Sequence, residues 1–229
     1  MWDPQWPVLV DAGYRVVRCD FRGFGTTPVP PGPHNDADDV LAVLDELGIG
    51  TVAVAGASYG GQVALEIAAR WPQRVTSLAL VCAAMPGHEP TGALRGFWQR
   101  EGELIEAGDL AGAVELNVGT WLGPEADPAT WERVAQMQRH AFEVQLAAAE
   151  QYEPAEVPVD LSAITARSLV VSGAKDLLDF RQIAARLAAL LPGARHVELP
   201  WAAHLPTLER PQELSGMLTA FFRNPIPAG

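Results

Sequence analysis

The chain is short of cysteine, of positive charge and of long apolar runs, and each shortage removes a class of function. Only two cysteines, Cys19 and Cys82, occur among 229 residues. Two thiols cannot build a disulfide framework or a cysteine-based zinc site, so both are expected to be small buried hydrophobes. Sixteen Lys plus Arg face 28 Asp plus Glu, a formal charge of −12. Nucleic acid and anionic membrane surfaces would repel such a chain, so neither is expected as a partner. No apolar run reaches the roughly 18 residues that a bilayer span requires. Residues 1–4 show neither the basic nor the apolar region of a secretory leader. These absences predict a cytoplasmic protein acting on a small molecule, and they leave its oligomeric state open.

What is present reads as a packed globule, with 48 % hydrophobic and 19 % charged residues over a length that suits one large domain or one domain with an insertion. Apolar runs of strand length cover residues 14–20, 51–57, 75–83 and 167–172, with a weaker one at 195–199. The first four lack polar alternation, as strands buried on both faces do. Helical periodicity lies between them, at Val40, Leu41, Val43, Leu44 and Leu47, at Val63, Ile67 and Trp71, and at Ile183, Leu187 and Leu190 or Leu191. Gly48 and Pro72 supply helix stops, and Asp179 with Gln182 reads as a capping box. The alternation predicts an α/β fold: a mostly parallel sheet with helices on both faces. Residues 85–159 break the pattern, being helical without a convincing strand. They are expected to form an inserted helical cap on a core of residues 1–84 and 160–229. The periodicity of residues 129–151 places Trp131, Val134, Gln138, Phe142 and Leu146 on one stripe. Trp98, Trp121, Trp131 and Phe142 either pack this cap against the sheet or line an apolar substrate pocket between the two.

Chemistry concentrates at strand ends. Gly56-Ala57-Ser58-Tyr59-Gly60 stands where a buried strand meets a helix. Such a turn strains its corner residue and crowds the two backbones, so Gly56, Gly60 and Gly61 are expected to be free of side chains for that reason. It would hold the Ser58 hydroxyl clear of the sheet and set the Tyr59 backbone N–H at a helix N-terminus, where it can stabilise an oxyanion. A serine needs a base, and the base needs an orienting acid. Of the five histidines, His204 lies in a loop after the last strand, His34 in a proline-rich loop, His88 and His140 in the cap, and His196 within a strand. Asp176 directly follows a strand. Asp179 is its competitor, but the expected helix cap would occupy the Asp179 oxygens. The order Ser58, Asp176, His204 is that of triads on α/β-hydrolase sheets.

On these residues the chain resembles the α/β-hydrolase fold family, in its cap-bearing esterase, lactonase and carbon–carbon hydrolase branch. Residues 20–25 are similar to the family's D-x-R-G-x-G loop, Gly56 to Gly61 to its elbow, Gly173 to Asp176 to its G-x-x-D acid turn, and residues 204–211 to its histidine loop. The resemblance implies catalytic roles for Ser58 as nucleophile, His204 as base then acid, and Asp176 as its orienting partner, with no cofactor and no metal. Asp20 and Arg22 are read as turn structure. Aspartate in place of Ser58 would have meant a dehalogenase or epoxide hydrolase. The expected reaction is cleavage of an ester, lactone or similarly activated carbonyl of a small, partly apolar molecule through an acyl-enzyme. A carbon–carbon bond hydrolase using the same triad and a non-catalytic ligand-binding homologue remain alternatives. A dinucleotide-binding oxidoreductase is disfavoured, because Pro28 stands where a third glycine should be.

The resemblance also implies a departure. Family members begin with three strands before the helix expected at residues 3–12, and the third leads to a His-Gly loop with a second oxyanion donor that is absent from this chain. One lost donor costs about 2.7–4 kcal/mol of transition-state stabilisation. A lost central strand forgoes several side chains at about 1.5–3 kcal/mol each, against a domain stability of about 5–15 kcal/mol. The expectation is that the natural start lies upstream.

Overall fold

The computed structural model describes residues 1–148, 152–155 and 157–223. The end of the helical stripe expected over 129–151 and the last six residues of the expected core lie outside these. Four strands, β1 (Val52–Ala57), β2 (Val75–Val81), β3 (Arg167–Gly173) and β4 (Arg195–Leu199), form one parallel sheet in the order β1-β2-β3-β4. Helices α1 (Gln5–Asp11) and α2 (Asp36–Glu46) precede β1, and α3 (Tyr59–Arg70) joins it to β2. Between β2 and β3 run α4 (Gly92–Glu106), α5 (Leu110–Trp121) and α6 (Pro128–Leu146), with no strand among the described residues. Helix α7 (Leu178–Leu190) joins β3 to β4, and α8 (Pro206–Glu209) and α9 (Pro211–Arg223) follow.

Strand periodicity decides the layers, because successive side chains leave opposite faces. Leu78 and Leu80 of β2 and Val170 of β3 pack with Leu41 of α2, Val63 and Ile67 of α3, and Ile183 and Leu187 of α7. Their neighbours Ala79, Val81, Leu169 and Val171 face the other way, onto Leu214, Leu218 and Phe221 of α9. Leu78, Leu80, Leu187, Leu214 and Leu218 are fully enclosed, and burying each is worth about 1.5–3 kcal/mol. The expected α/β architecture with covered sheet faces is the one present.

Helices α4 to α6 enclose apolar side chains of their own, including Leu104, Val114, Val118, Val134 and Phe142, and Leu205 and Leu208 join that cluster from the histidine segment. Each of these helices starts on a side-chain cap, with Thr91, Asp109 and Asp127 accepting from the backbone N–H of Leu94, Gly112 and Thr130. Such caps are worth about 1 kcal/mol each, so the lobe carries local stability as well as packing.

Residues 14–20 depart from the expected strand. They lie outside regular secondary structure and are half-buried or exposed, and among the described residues no backbone hydrogen bond ties them to β1. An extended segment becomes a strand only with a ladder partner, which no apolar run carries within itself. Cys19 consequently lies exposed rather than buried, whereas Cys82 is buried as expected. In hydrogen exchange, the amides of Val16 and Val17 should exchange at least about 10³-fold faster than those of Leu78 to Val81, which open only with the core. Comparable protection in both segments would mean that residues 14–20 pair with a strand after all.

Candidate active site

The site is assembled where β1, β3 and β4 end. Ser58 follows β1 at φ 51° and ψ −125°, a left-handed backbone that side chains other than glycine rarely adopt. Its strain is held by two stitches to the neighbouring strand end, Ser58 N–H to the Val81 carbonyl at 3.1 Å and Ala84 N–H to the Ser58 carbonyl at 2.9 Å. A Cβ on Gly56 would overlap the Gly60 backbone, and one on Gly61 would overlap Ala83. Gly60 differs from expectation, since a Cβ there would meet only Phe21, at 3.9 Å.

The acid turn and the histidine segment are brought together by a third close approach. A Cβ on Gly173 would overlap the carbonyls of Ala202 and Ala203. Without it the two loops bond directly, Ala174 N–H to the Leu199 carbonyl and Lys175 N–H to the Ala202 carbonyl, each at 2.9 Å. The Asp176 carboxylate then accepts from Leu177 N–H through Oδ1 at 2.7 Å, and its Oδ2 lies 2.8 Å from His204 Nδ1. His204 Nε2 lies 2.8 Å from Ser58 Oγ. The three residues singled out in the sequence thus form one hydrogen-bonded chain. A carboxylate can only accept, so Nδ1 carries the imidazole proton and Nε2 is free to take one from the serine.

The surroundings of the imidazole are aromatic. Asp176 and His204 are buried. Phe180 and Trp121 flank the imidazole with ring centroids 4.1 and 4.7 Å away, and Phe97 packs on Trp121 at 4.7 Å. Tyr59 turns its side chain away, its hydroxyl donating to Asp36 Oδ2 at 2.7 Å. Burial first, and then that carboxylate, push its phenol well above the usual range. What Tyr59 offers the site is its backbone N–H, in the first turn of α3, where no preceding carbonyl of the helix can bond it. The Cys82 thiol, Asp176 and His204 lie within 4.8 Å of one another. Burial, and then the Asp176 charge, push that thiol up and away from the thiolate form a soft metal ion would need.

The remaining histidines are engaged elsewhere. His34 lies against Asp36, His88 against Asp179, His140 against the Gly25 carbonyl and His196 against the Ser172 hydroxyl. Arg22 forks onto the Asp39 carboxylate at 2.6 and 2.7 Å, which fastens the 20–25 loop to α2. A cavity of about 340 Å³ opens beside the Tyr59 ring, between Arg22, Phe24, His34 and Asp36, and no triad residue lines it.

Asp179 does not cap α7. The cap position falls on Leu177, and the buried Asp179 carboxylate reaches across to the lobe instead. It accepts from Thr91 N–H at 2.7 Å and Thr91 Oγ1 at 2.6 Å, and contacts His88 Nε2 at 2.9 Å. A local pattern cannot distinguish a helix cap from a carboxylate spent on a distant segment. Of the four aromatics proposed for a pocket, Trp121 alone reaches the triad. Trp98 and Trp131 stand 49 % and 42 % exposed, and Phe142 lies inside the lobe's own cluster, because periodicity identifies a helix stripe without identifying its neighbour. Phe180 was missed. Its place in the helix directly after the acid turn was the available signal.

Residues 1–216 match the model of the alpha/beta hydrolase family. Over 98 % of this chain and 85 % of its own length, a hydrolase from Pseudomonas aeruginosa PA01 is 32 % identical, with a TM-score of 0.76. The enol-lactonase from Burkholderia xenovorans LB400 is 25 % identical over 97 % of this chain and 86 % of that one, at a TM-score of 0.77. A Caulobacter vibrioides protein named "Putative carbamate hydrolase RutD" is 28 % identical over 96 % of this chain and 84 % of its own.

The Asp179 network generates a stability prediction with a pH signature. Burial would raise its carboxyl, but the bonds from Thr91 and His88 outweigh this and hold it below its ordinary value. A lowered folded pKa stabilises above the unfolded value of about 3.9, and the gain is lost as pH falls through the folded value. Asp179→Ala should therefore cost about 2–4 kcal/mol in urea unfolding at pH 7, taking the acceptor from the Thr91 N–H and hydroxyl and from His88, and the gap to wild type should narrow below about pH 4. A larger loss of rate than Asp176→Asn produces would reassign the orienting acid.

Proposed function

We propose that this chain, which belongs to the alpha/beta hydrolase family, is a serine hydrolase. It opens an ester, lactone or similarly activated carbonyl of a small, partly apolar molecule through an acyl-enzyme on Ser58. The observation that carries the reading is the unbroken chain from Asp176 Oδ2 through His204 to Ser58 Oγ, both links at 2.8 Å.

In the first half-reaction, Ser58 Oγ attacks the carbonyl carbon while its proton passes to His204 Nε2. The carbonyl electron pair moves onto oxygen, and the resulting oxyanion is held by the Tyr59 N–H and the positive end of α3. Asp176 stays ionised, orients the imidazole through Nδ1–H and stabilises the imidazolium. Collapse of the intermediate breaks the bond to the leaving oxygen, which takes the proton from Nε2 and departs as an alcohol, or stays tethered if the substrate is a lactone. Water then repeats the sequence. It loses a proton to Nε2, adds to the acyl carbon and releases the acid, and Ser58 recovers its proton. The flanking Phe180 and Trp121 keep the imidazole in low dielectric, where these charge interactions are stronger than in water. They also supply an apolar wall for the substrate. The enol-lactonase likeness supports carbonyl–oxygen cleavage, and the carbamate hydrolase name marks a neighbouring substrate class within the same chemistry.

With p-nitrophenyl acetate and butyrate, Ser58→Ala and His204→Ala should each lower turnover by about 10⁶-fold, and Asp176→Asn by about 10⁴-fold. Release of nitrophenol that survives Ser58→Ala would overturn the reading. Turnover of a vinylogous diketone with no turnover of esters would move the assignment to carbon–carbon cleavage by the same residues.

A further inference from the structure

His204 sits in residues 202–205, a stretch without regular secondary structure, so nothing in its own conformation fixes the imidazole. The restraint comes from Glu209, at the end of α8. Its Oε1 accepts from Ala203 N–H at 3.2 Å and Leu205 N–H at 3.1 Å, and its Oε2 accepts from Ala203 N–H at 3.1 Å. These are the amides on either side of His204. The same carboxylate lies directly against the Gly123 backbone, at the corner between α5 and α6. That corner belongs to the helical lobe, and it touches His204 twice more. The Trp121 carbonyl accepts from His204 N–H at 3.1 Å, and the Trp121 ring lies on the imidazole. Gly123 has no φ that demands glycine, yet a Cβ there would overlap Glu209 Oε2. Farther out, Glu125 pairs with Lys175 beside Asp176 and with Arg210 beside Glu209. Those exposed pairs are worth little, whereas the part-buried Glu209 carboxylate accepts charge-assisted hydrogen bonds from the two backbone donors that flank His204.

We propose that Glu209 is a positioning residue for His204. It clasps the backbone on both sides of the imidazole and packs against the lobe corner at Gly123, so that the lobe's seat on the sheet domain sets the reach of Nε2 toward Ser58. The inference rests on the serine-hydrolase reading above. Burial pushes the Glu209 carboxyl up and the backbone amides around it pull it back, with a net rise.

The test compares wild type, Glu209→Ala, Glu209→Gln, Gly123→Ala and the Glu209→Ala/Gly123→Ala double variant. It reads kcat and KM on a p-nitrophenyl ester, the rate of Ser58 modification by a fluorophosphonate, and the folded fraction by circular dichroism. Displacing a catalytic group by about 1 Å costs about 10²-fold, so Glu209→Ala should lower kcat and the labelling rate by about that factor while KM changes less than about threefold. Glu209→Gln should recover to within about tenfold of wild type, because one amide oxygen can accept from both Ala203 and Leu205. Gly123→Ala, whose added Cβ would push on Glu209 Oε2 without touching the triad, should lower kcat about tenfold alone and have no further effect in the double variant, as coupled sites do. If Glu209→Ala is unfolded, Glu209→Gln and Gly123→Ala decide the question. Folded Glu209→Ala or Gly123→Ala protein that labels at the wild-type rate, or a Gly123→Ala effect that adds in full to Glu209→Ala, would overturn the inference. Wild-type protein that does not label at all would instead overturn the hydrolase reading.

Discussion

Three loops that leave the same edge of a parallel sheet can place their side chains in hydrogen-bond contact only if their backbones nearly touch. That constraint governs this molecule. Gly56 and Gly61 let the nucleophile turn close against β2, and Gly173 lets the histidine segment cross directly over the end of β3. The close approach forces Ser58 into a left-handed backbone. Such strain costs about 1–3 kcal/mol and persists only where the surroundings over-determine it. Here the Val81 carbonyl and the Ala84 amide hold it on one side and the buried face of α3 on the other.

The elbow was legible in the sequence because it is local. A glycine–serine–glycine spacing between an apolar run and a helical pattern describes a single turn, and its neighbours in the chain are its neighbours in space. His204 and Asp176 were legible for a weaker reason, that each follows a strand, and loops at that edge of a parallel sheet converge. What was not legible depends on contacts between distant segments. Residues 14–20 carry a strand's composition without a ladder partner, and no periodicity reports that lack. Asp179 and Gln182 have the spacing of a helix cap, yet the carboxylate is taken by Thr91, 88 residues away. Trp98 and Trp131 share a helical rhythm with buried residues but face outward. Glu209 lay within the recognised histidine segment and received no role, because its partners are backbone amides, which leave no trace in side-chain pattern.

The helical lobe is part of the site as much as a cover for it. Trp121 contributes a ring against the imidazole and a carbonyl to the His204 amide, and Phe97 backs that ring from α4. Asp179 fastens the start of α4 beside the acid turn, while Glu209 packs against Gly123 at the corner after α5. The lobe is thus moored next to Asp176 and next to His204.

The central claim is that Ser58 Oγ becomes covalently acylated. Rapid mixing with excess p-nitrophenyl acetate, acid quench and peptide mass analysis tests it most directly. The account predicts an acetyl adduct on the peptide carrying Ser58 that forms before steady-state turnover and does not form in His204→Ala. Steady hydrolysis with no adduct, or an adduct on another residue, would contradict it.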